Sequence, residues 1–286
     1  MRKLGGYLRL MRPINCFMMG LAVIVGASLA SLRSMNAAWP SLVYGFITGF
    51  TLTAASMAIN DYYDRKIDSI NEPSRPIPSG LVKPREALVF ALILTMVGLV
   101  TAYLTNTAYP LCLPTAIIAW IISVGYTTVG KRSGLPGNLL VSLCVSIPFV
   151  YGSVAISNGL RLNVLLFASI VFLSITGREI TKGIVDVQGD RTQNVKTLAV
   201  QYGEKNAAVA AALFYLSAVG LSPTPWLLGI VSIWFIPLVA VTDIGLAASS
   251  LMLLRNHSRE NSRRIKNTVL LWFIIGLLAF IIGAAR

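Results

Sequence analysis

The sequence predicts an all-α, polytopic membrane protein, with nine transmembrane helices around a central chamber that opens to the cytoplasmic side. Three observations lead there. Charged residues make up 12% of the 286 positions and hydrophobic ones 55%, whereas a soluble domain carries roughly 25% charge. The apolar runs are long and unbroken, which excludes the alternating strands of a membrane barrel and leaves helices to satisfy the backbone in lipid. The basic residues, finally, fall almost entirely on one side of those runs.

The apolar runs lie at 14–32, 40–61, 86–105, 109–128, 137–156, 163–182, 206–221, 227–253 and 268–285. Nothing between them is long enough to be a separate soluble domain, so residues 1–286 are expected to form a single integral-membrane domain. Lys and Arg cluster before span one and after spans two, four, six and eight; only Arg33, Arg161 and Arg286 fall on the opposite side. By the positive-inside rule the N-terminus is cytoplasmic and the C-terminus external. The net charge of +13 is then topological and lipid-facing, which excludes nucleic acid as a partner. The run 206–221 is Ala-rich and barely long enough to cross, but removing it would put the basic residues after span eight on the wrong side. The basic N-terminus resembles a signal peptide, yet the apolar run from Pro13 to Leu32 is long enough to span, so an uncleaved first helix is expected. Cys16, Cys112 and Cys144 lie scattered in apolar spans at no metal-ligand spacing, and read as packing residues.

Two acidic clusters stand at the inner ends of spans two and six: Asn60-Asp61-Tyr-Tyr-Asp64-Arg-Lys-Ile-Asp68 and Lys182-Gly-Ile-Val-Asp186-Val-Gln-Gly-Asp190. Asn60, Asp64 and Asp68 are spaced i, i+4, i+8, and Asp186 and Asp190 i, i+4, so each set is expected to point one way on a helix. Asp61 falls about 100° round the helix and is left outside the set. A single such cluster reads equally well as a helix leaving the membrane. Two with the same step on the same side point to function. Paired hard oxygens beside Lys and Arg suit Mg²⁺ holding a diphosphate, the metal reversing the sign of the site. Each cluster opens a polar loop of roughly twenty residues, and such loops often cap a cavity. The four-span interval between them hints at an internal repeat. The external connections at 105–109 and 221–226 are expected to be minimal.

The N-D-x-x-D-x-x-x-D motif at 60–68, the D-x-x-x-D motif at 186–190, the Arg75-Pro76-Ile-Pro78-Ser-Gly80 stretch and nine spans together resemble the UbiA-type intramembrane prenyltransferases over essentially the whole chain. That resemblance implies Mg²⁺-dependent transfer of a prenyl group from a diphosphate donor, with Asn60, Asp64, Asp68, Asp186 and Asp190 as the metal-binding set. It also implies a Tyr and a Lys after span four, matched by Tyr126 and Lys131. These are five apart where four is usual, so Lys131 and Arg132 both remain candidates for the diphosphate. A cation there would offset charge on the leaving group, and the Tyr126 ring could face an allylic carbocation. The bland readings are an interfacial aromatic and topological charge.

Arg178 and Lys182 share a face with Asp186. They read either as i, i+4 partners that keep Asp186 charged or as a patch for a phosphorylated acceptor. Arg12 and Asn15 at the start of span one are candidates for lining the same chamber, and Arg65 either contacts diphosphate or lies at the headgroups. Within the family the chain looks most like members that make archaeal ether lipids. This implies geranylgeranyl diphosphate as donor and geranylgeranylglyceryl phosphate as acceptor, with membrane lipids around the protein. The alternatives are an aromatic acceptor of the 4-hydroxybenzoate type and, in a different class, an ion-coupled transporter. Transporter sites lie near the midplane on broken helices, whereas these acids lie near one interface. Asp243, alone inside span eight, is either functional or a hydrogen-bonded acid beside Thr242. His257 sits in a basic loop and gives little support to hydrolytic chemistry.

Overall fold

The computed structural model describes every residue except Met1, Asn36, Tyr109, Asn158, Gln193, Ala285 and Arg286, and leaves out the side chains of Arg2, Met35 and Asn71. Arg286, one of the three basic residues expected on the external side, therefore lies outside the described residues. The described chain is helical throughout, with no strand, and divides into two compact units.

The first unit comprises residues 1–128 and 147–160. It holds α1 (Arg2–Met11), α2 (Pro13–Ala30), α3 (Leu32–Met35), α4 (Trp39–Asn71), α5 (Pro84–Thr105), α6 (Cys112–Thr128) and the second half of α7 (Leu135–Ile156). Helix α4 is the hub, packed along α2, α5 and α6. Small residues let the helices close up: a Cβ on Gly26 would fall 2.0 Å from the carbonyl oxygen of Phe149, and one on Gly152 equally close to that of Val23. With lipid outside, packing and interhelical hydrogen bonds replace the hydrophobic drive between helices. Thr48 and Thr101 accordingly meet at 2.9 Å, and Thr105 meets the Tyr151 hydroxyl at 2.9 Å. Leu92, Ile93 and Met96 of α5 are exposed, as a lipid-facing stripe should be.

The second unit comprises residues 129–146 and 161–286. It holds the first half of α7, then α8 (Leu162–Val185), α9 (Val187–Thr192), α10 (Leu198–Tyr202), α11 (Glu204–Leu221), α12 (Thr224–Leu227), α13 (Phe235–Arg255) and α14 (Arg259–Ala284). Here α8 is the hub, against α11 and α14. The alanines that made 206–221 doubtful explain its place. Ala207, Ala211 and Tyr215 recur every fourth position on one face and are fully buried with Ile180 and Ile184 of α8. Helix α11 crosses on small residues because its partner lies close.

Eight described helices are long and apolar enough to cross a membrane, and Cys112–Thr128 is a shorter ninth apolar helix of 10–17 residues. Three expectations change. The eighth span begins at Phe235, because residues 228–234 form turns rather than helix. The connection before it is consequently not minimal, since it includes α12. The ninth helix begins at Arg259, about two turns before its apolar stretch. Buried Cys16 and Cys112 are packing residues, and no disulfide joins the free cysteines.

Candidate active site

Helix α4 has 33 residues, about 50 Å at 1.5 Å per residue, against an apolar layer of about 30 Å. Its last turns therefore carry the first acidic motif beyond the span, still helical. The Asn60 Nδ2 amide donates to Asp64 Oδ2 at 3.0 Å, so these two share a face. Asp68 stands one further step along the row and drifts round the helix. An i, i+4 step advances about 400° rather than 360°, so each step drifts about 40°. Asp68 thus lies close to Asp61, seven residues back and only about 20° away in angle.

The arginines read that geometry. Asp61 is 2% exposed and accepts from Arg12 Nη2 at 2.6 Å. Arg75 Nη1 lies 2.7 Å from Asp68 Oδ2 and 3.5 Å from Asp61 Oδ1. Two cations and two carboxylates thus form a neutral network beside the Asn60–Asp64 pair. Arg12 reaches it from a left-handed backbone (φ 53°) at the break between α1 and α2. Arg75 comes from the proline-rich loop, which is anchored by Arg9 donating to the Ser74 carbonyl at 2.8 Å and by buried Ile77 and Val82. Arg65 is engaged on its own helix, donating to the Tyr62 carbonyl at 2.6 Å with its guanidinium 4.3 Å over the Tyr62 ring. Asn15 is exposed on the first turn of α2, and Tyr126 is half-buried on the last turn of α6.

In the second unit Lys131 and Arg132 are exposed on a single 3₁₀ turn, Gly130–Arg132. Lys196 N donates to the Arg132 carbonyl at 3.2 Å. Gly134, at φ +74°, makes that approach possible, because a Cβ there would fall 2.1 Å from the Lys196 carbonyl oxygen. The basic turn therefore docks on the loop that follows the second acidic motif. Asp186 ends α8 with φ −98° and ψ 6°, and α9 starts after it. Asp190 N still donates to the Asp186 carbonyl at 2.9 Å, which preserves the helical spacing across the break. Burial first, and then the neighbouring Asp186 charge, raises the Asp190 pKa above its ordinary value; Thr197 and Lys182 oppose the shift. A cavity of about 280 Å³ is lined by Val185, Asp186, Gln188, Gly189, Asp190 and Arg259.

Of the two readings of Arg178 and Lys182, the pairing with Asp186 is not what forms. Arg178 Nη1 lies 3.2 Å and Lys182 Nζ 3.5 Å from the Glu179 carboxylate. Adjacent and i, i+3 positions bring Glu179 within reach of both, and one acid is shared by two bases. Asp243 is hydrogen-bonded: it accepts from the Ser222 hydroxyl at 2.6 Å, whereas Thr242 donates to backbone carbonyls. Asp61, Arg75, Glu179 and Arg259 had no assigned place in the site from sequence. Arg75 carried a signal, being part of the loop stretch 75–80. Arg259 had none beyond its charge.

Among the described residues no three His, Cys, Asp or Glu side chains form a group able to hold a metal. Each unit instead offers paired hard oxygens. That suits Mg²⁺, which takes one or two carboxylates and fills its shell with water and phosphate oxygens.

The profile of the UbiA prenyltransferase family matches residues 19–284. The digeranylgeranylglyceryl phosphate synthase of Methanosarcina mazei is 37% identical over 289 residues, covering 97% of each chain. That of Methanocaldococcus jannaschii is 35% identical over 286 residues, covering 100% of this chain and 98% of the relative. A solved structure of digeranylgeranylglyceryl phosphate synthase superposes with a TM-score of 0.87 at 34% identity, covering 99% of each chain. A UbiA homolog from Archaeoglobus fulgidus, bound to GPP and Mg²⁺, shares the fold with a TM-score of 0.67 at 19% identity, covering 96% of this chain and 99% of the other. With its two aspartate motifs and its membrane-spanning helices, the chain belongs to the UbiA prenyltransferase family.

Proposed function

We propose that this prenyltransferase moves a geranylgeranyl group from geranylgeranyl diphosphate to the free hydroxyl of geranylgeranylglyceryl phosphate, giving an ether-lipid precursor. The observation that carries the reading is the likeness, at 34–37% identity over nearly the whole chain, to synthases of that name. The local chemistry is compatible. An acceptor that bears a phosphate calls for cations, and Arg178 and Lys182 together exceed the charge of the single Glu179 they share.

Asn60, Asp64 and Asp68 in one unit, and Asp186 and Asp190 in the other, are the residues that would hold Mg²⁺. The ion would supply charge neutralisation for the departing diphosphate. Asp68 can serve while Arg75 holds it, because Arg75 occupies only Oδ2 and a carboxylate has a second oxygen to offer. Lys131 or Arg132 stabilises the leaving group as the allylic C–O bond breaks and its electron pair departs with diphosphate. The ring of Tyr126 faces the cation that remains. The acceptor oxygen then forms the new C–O bond, and its proton passes to the released diphosphate. Arg12 and Arg65 serve as supports for the acid motif in this reading, and Asn15 borders the site. Residues 1–286 act as one domain, with the N-terminus and the acidic motifs on the cytoplasmic side of the membrane. The one-sided distribution of Lys and Arg supports that orientation.

The test uses purified protein in lipid nanodiscs with Mg²⁺ and radiolabelled geranylgeranyl diphosphate, offered geranylgeranylglyceryl phosphate or 4-hydroxybenzoate. Metal-dependent ether product with the first acceptor alone is expected, and is lost in Asp64→Ala and Asp186→Ala. Product with the aromatic acid alone would replace the acceptor. Ion flux in proteoliposomes without product of either kind would overturn the enzyme reading.

A further inference from the structure

The five basic residues from Arg255, at the end of α13, to Lys266, in α14, read from sequence as topological charge alone, yet one is set apart. Arg259 lines the same cavity as Asp186 and Asp190. Its Nε donates to the carbonyl oxygen of Val185, the last residue of α8, at 3.1 Å. This fixes the side chain while using one of the five N–H donors of a guanidinium. Arg259 is nevertheless exposed, and among the described residues it forms no ion pair with either aspartate. The backbone beneath it is held as well. The Asn261 amide donates to the carbonyls of Asn256 and Met252, and Ser262 N donates to Ser258 O at 2.9 Å. A cation is thus held at an acidic cavity of about 280 Å³.

We propose that Arg259 binds a phosphate oxygen of a substrate headgroup at the Asp186–Asp190 cavity. The inference rests on the prenyl-transfer reading above. A planar guanidinium presents two parallel donors, the geometry that phosphate oxygens accept. Pinning through Nε leaves the Nη edge for that contact. Phosphate chemistry is available from two sources, the diphosphate of the donor and the phosphomonoester of the acceptor. A helix-capping role for Arg259, through Val185, is the structural alternative.

The experiment compares wild type, Arg259→Gln and Arg259→Lys in nanodiscs. It measures kcat, KM for each substrate, melting temperature, and calorimetric binding of inorganic diphosphate and of glycerol phosphate in the presence of Mg²⁺. Arg259→Gln is expected to weaken one of the two probes, and to raise the KM of the matching substrate, by about tenfold, the scale of a charge-assisted hydrogen bond. Weakened diphosphate binding assigns Arg259 to the donor, and weakened glycerol phosphate binding assigns it to the acceptor. Arg259→Lys should recover part of either loss. A lowered melting temperature with both KM values and both probe affinities unchanged would leave only the cap and overturn the proposal. Absence of product from the wild type would overturn the reaction instead, and the probe measurements would still decide whether Arg259 binds phosphate.

Discussion

Arg12 holds Asp61 at 2.6 Å across 49 positions of sequence, and does so from a left-handed backbone conformation. A non-glycine residue at positive φ costs on the order of 1–3 kcal/mol. The pairing offsets that cost, because the carboxylate is almost wholly buried. Asp61 therefore belongs to the scaffold that holds the site, although it stands inside the acidic motif.

Asp61→Asn should accordingly lower the melting temperature by the equivalent of roughly 1–3 kcal/mol, since it leaves Arg12 and Arg75 short of a carboxylate. Its affinity for Mg²⁺ should stay within about threefold of wild type. Asp64→Asn should do the reverse, with metal affinity reduced and the melting temperature held. Calorimetric Mg²⁺ titration and thermal melting of both variants check this. A larger metal defect in Asp61→Asn than in Asp64→Asn would place Asp61 among the ligands.

Glu179→Gln removes the single carboxylate shared by Arg178 and Lys182. The Arg178–Glu179 pair is largely buried, so removing the carboxylate should cost roughly 1–3 kcal/mol of stability. The two freed cations should also tighten binding of the phosphorylated acceptor, with its KM falling by about fivefold at most. Steady-state kinetics with the acceptor varied at saturating donor tests this. An increase in that KM would mean that Glu179 itself orients the acceptor.

Acidification should have two opposite consequences at Asp190. Its pKa in the folded protein is raised by burial and by Asp186, so the folded state binds the proton more tightly than the unfolded chain. The metal-free protein should therefore gain stability as pH falls through the raised value, and lose that contribution as pH rises again. Mg²⁺ affinity should decline over the same acidic window, because the proton competes for the carboxylate. Melting curves without metal and Mg²⁺ titrations, both across pH, should show these trends moving in opposite directions. Asp190→Asn should flatten the contribution to both.

Asp243 and Ser222 form an isolated hydrogen bond that ties α13 to the end of α11. Asp243→Asn keeps an acceptor for the hydroxyl and should be nearly neutral for activity and melting temperature. Asp243→Leu removes the acceptor and should destabilise by about 1 kcal/mol, with kcat preserved. A loss of turnover in Asp243→Asn at unchanged melting temperature would give the acid a functional role.

The spans, the one-sided basic charge and the two aspartate motifs were all legible in the sequence, because hydropathy and i, i+4 spacing are local properties of the chain. Local periodicity left one relationship unread. An i, i+4, i+8 row looks straight in sequence, but at 3.6 residues per turn it drifts until Asp68 lies near Asp61. The start of the apolar stretch similarly concealed the first turns of α14, since polar residues carry the helix on beyond the lipid. Tertiary structure alone decided which charges are partners. Arg12 meets Asp61, Arg75 joins Asp61 to Asp68, and Arg259 meets the end of α8 across 74 positions. The physical reason is that a charge's partner is set by distance in space and by the cost of burying it alone, and neither quantity is written in the spacing of residues along the chain.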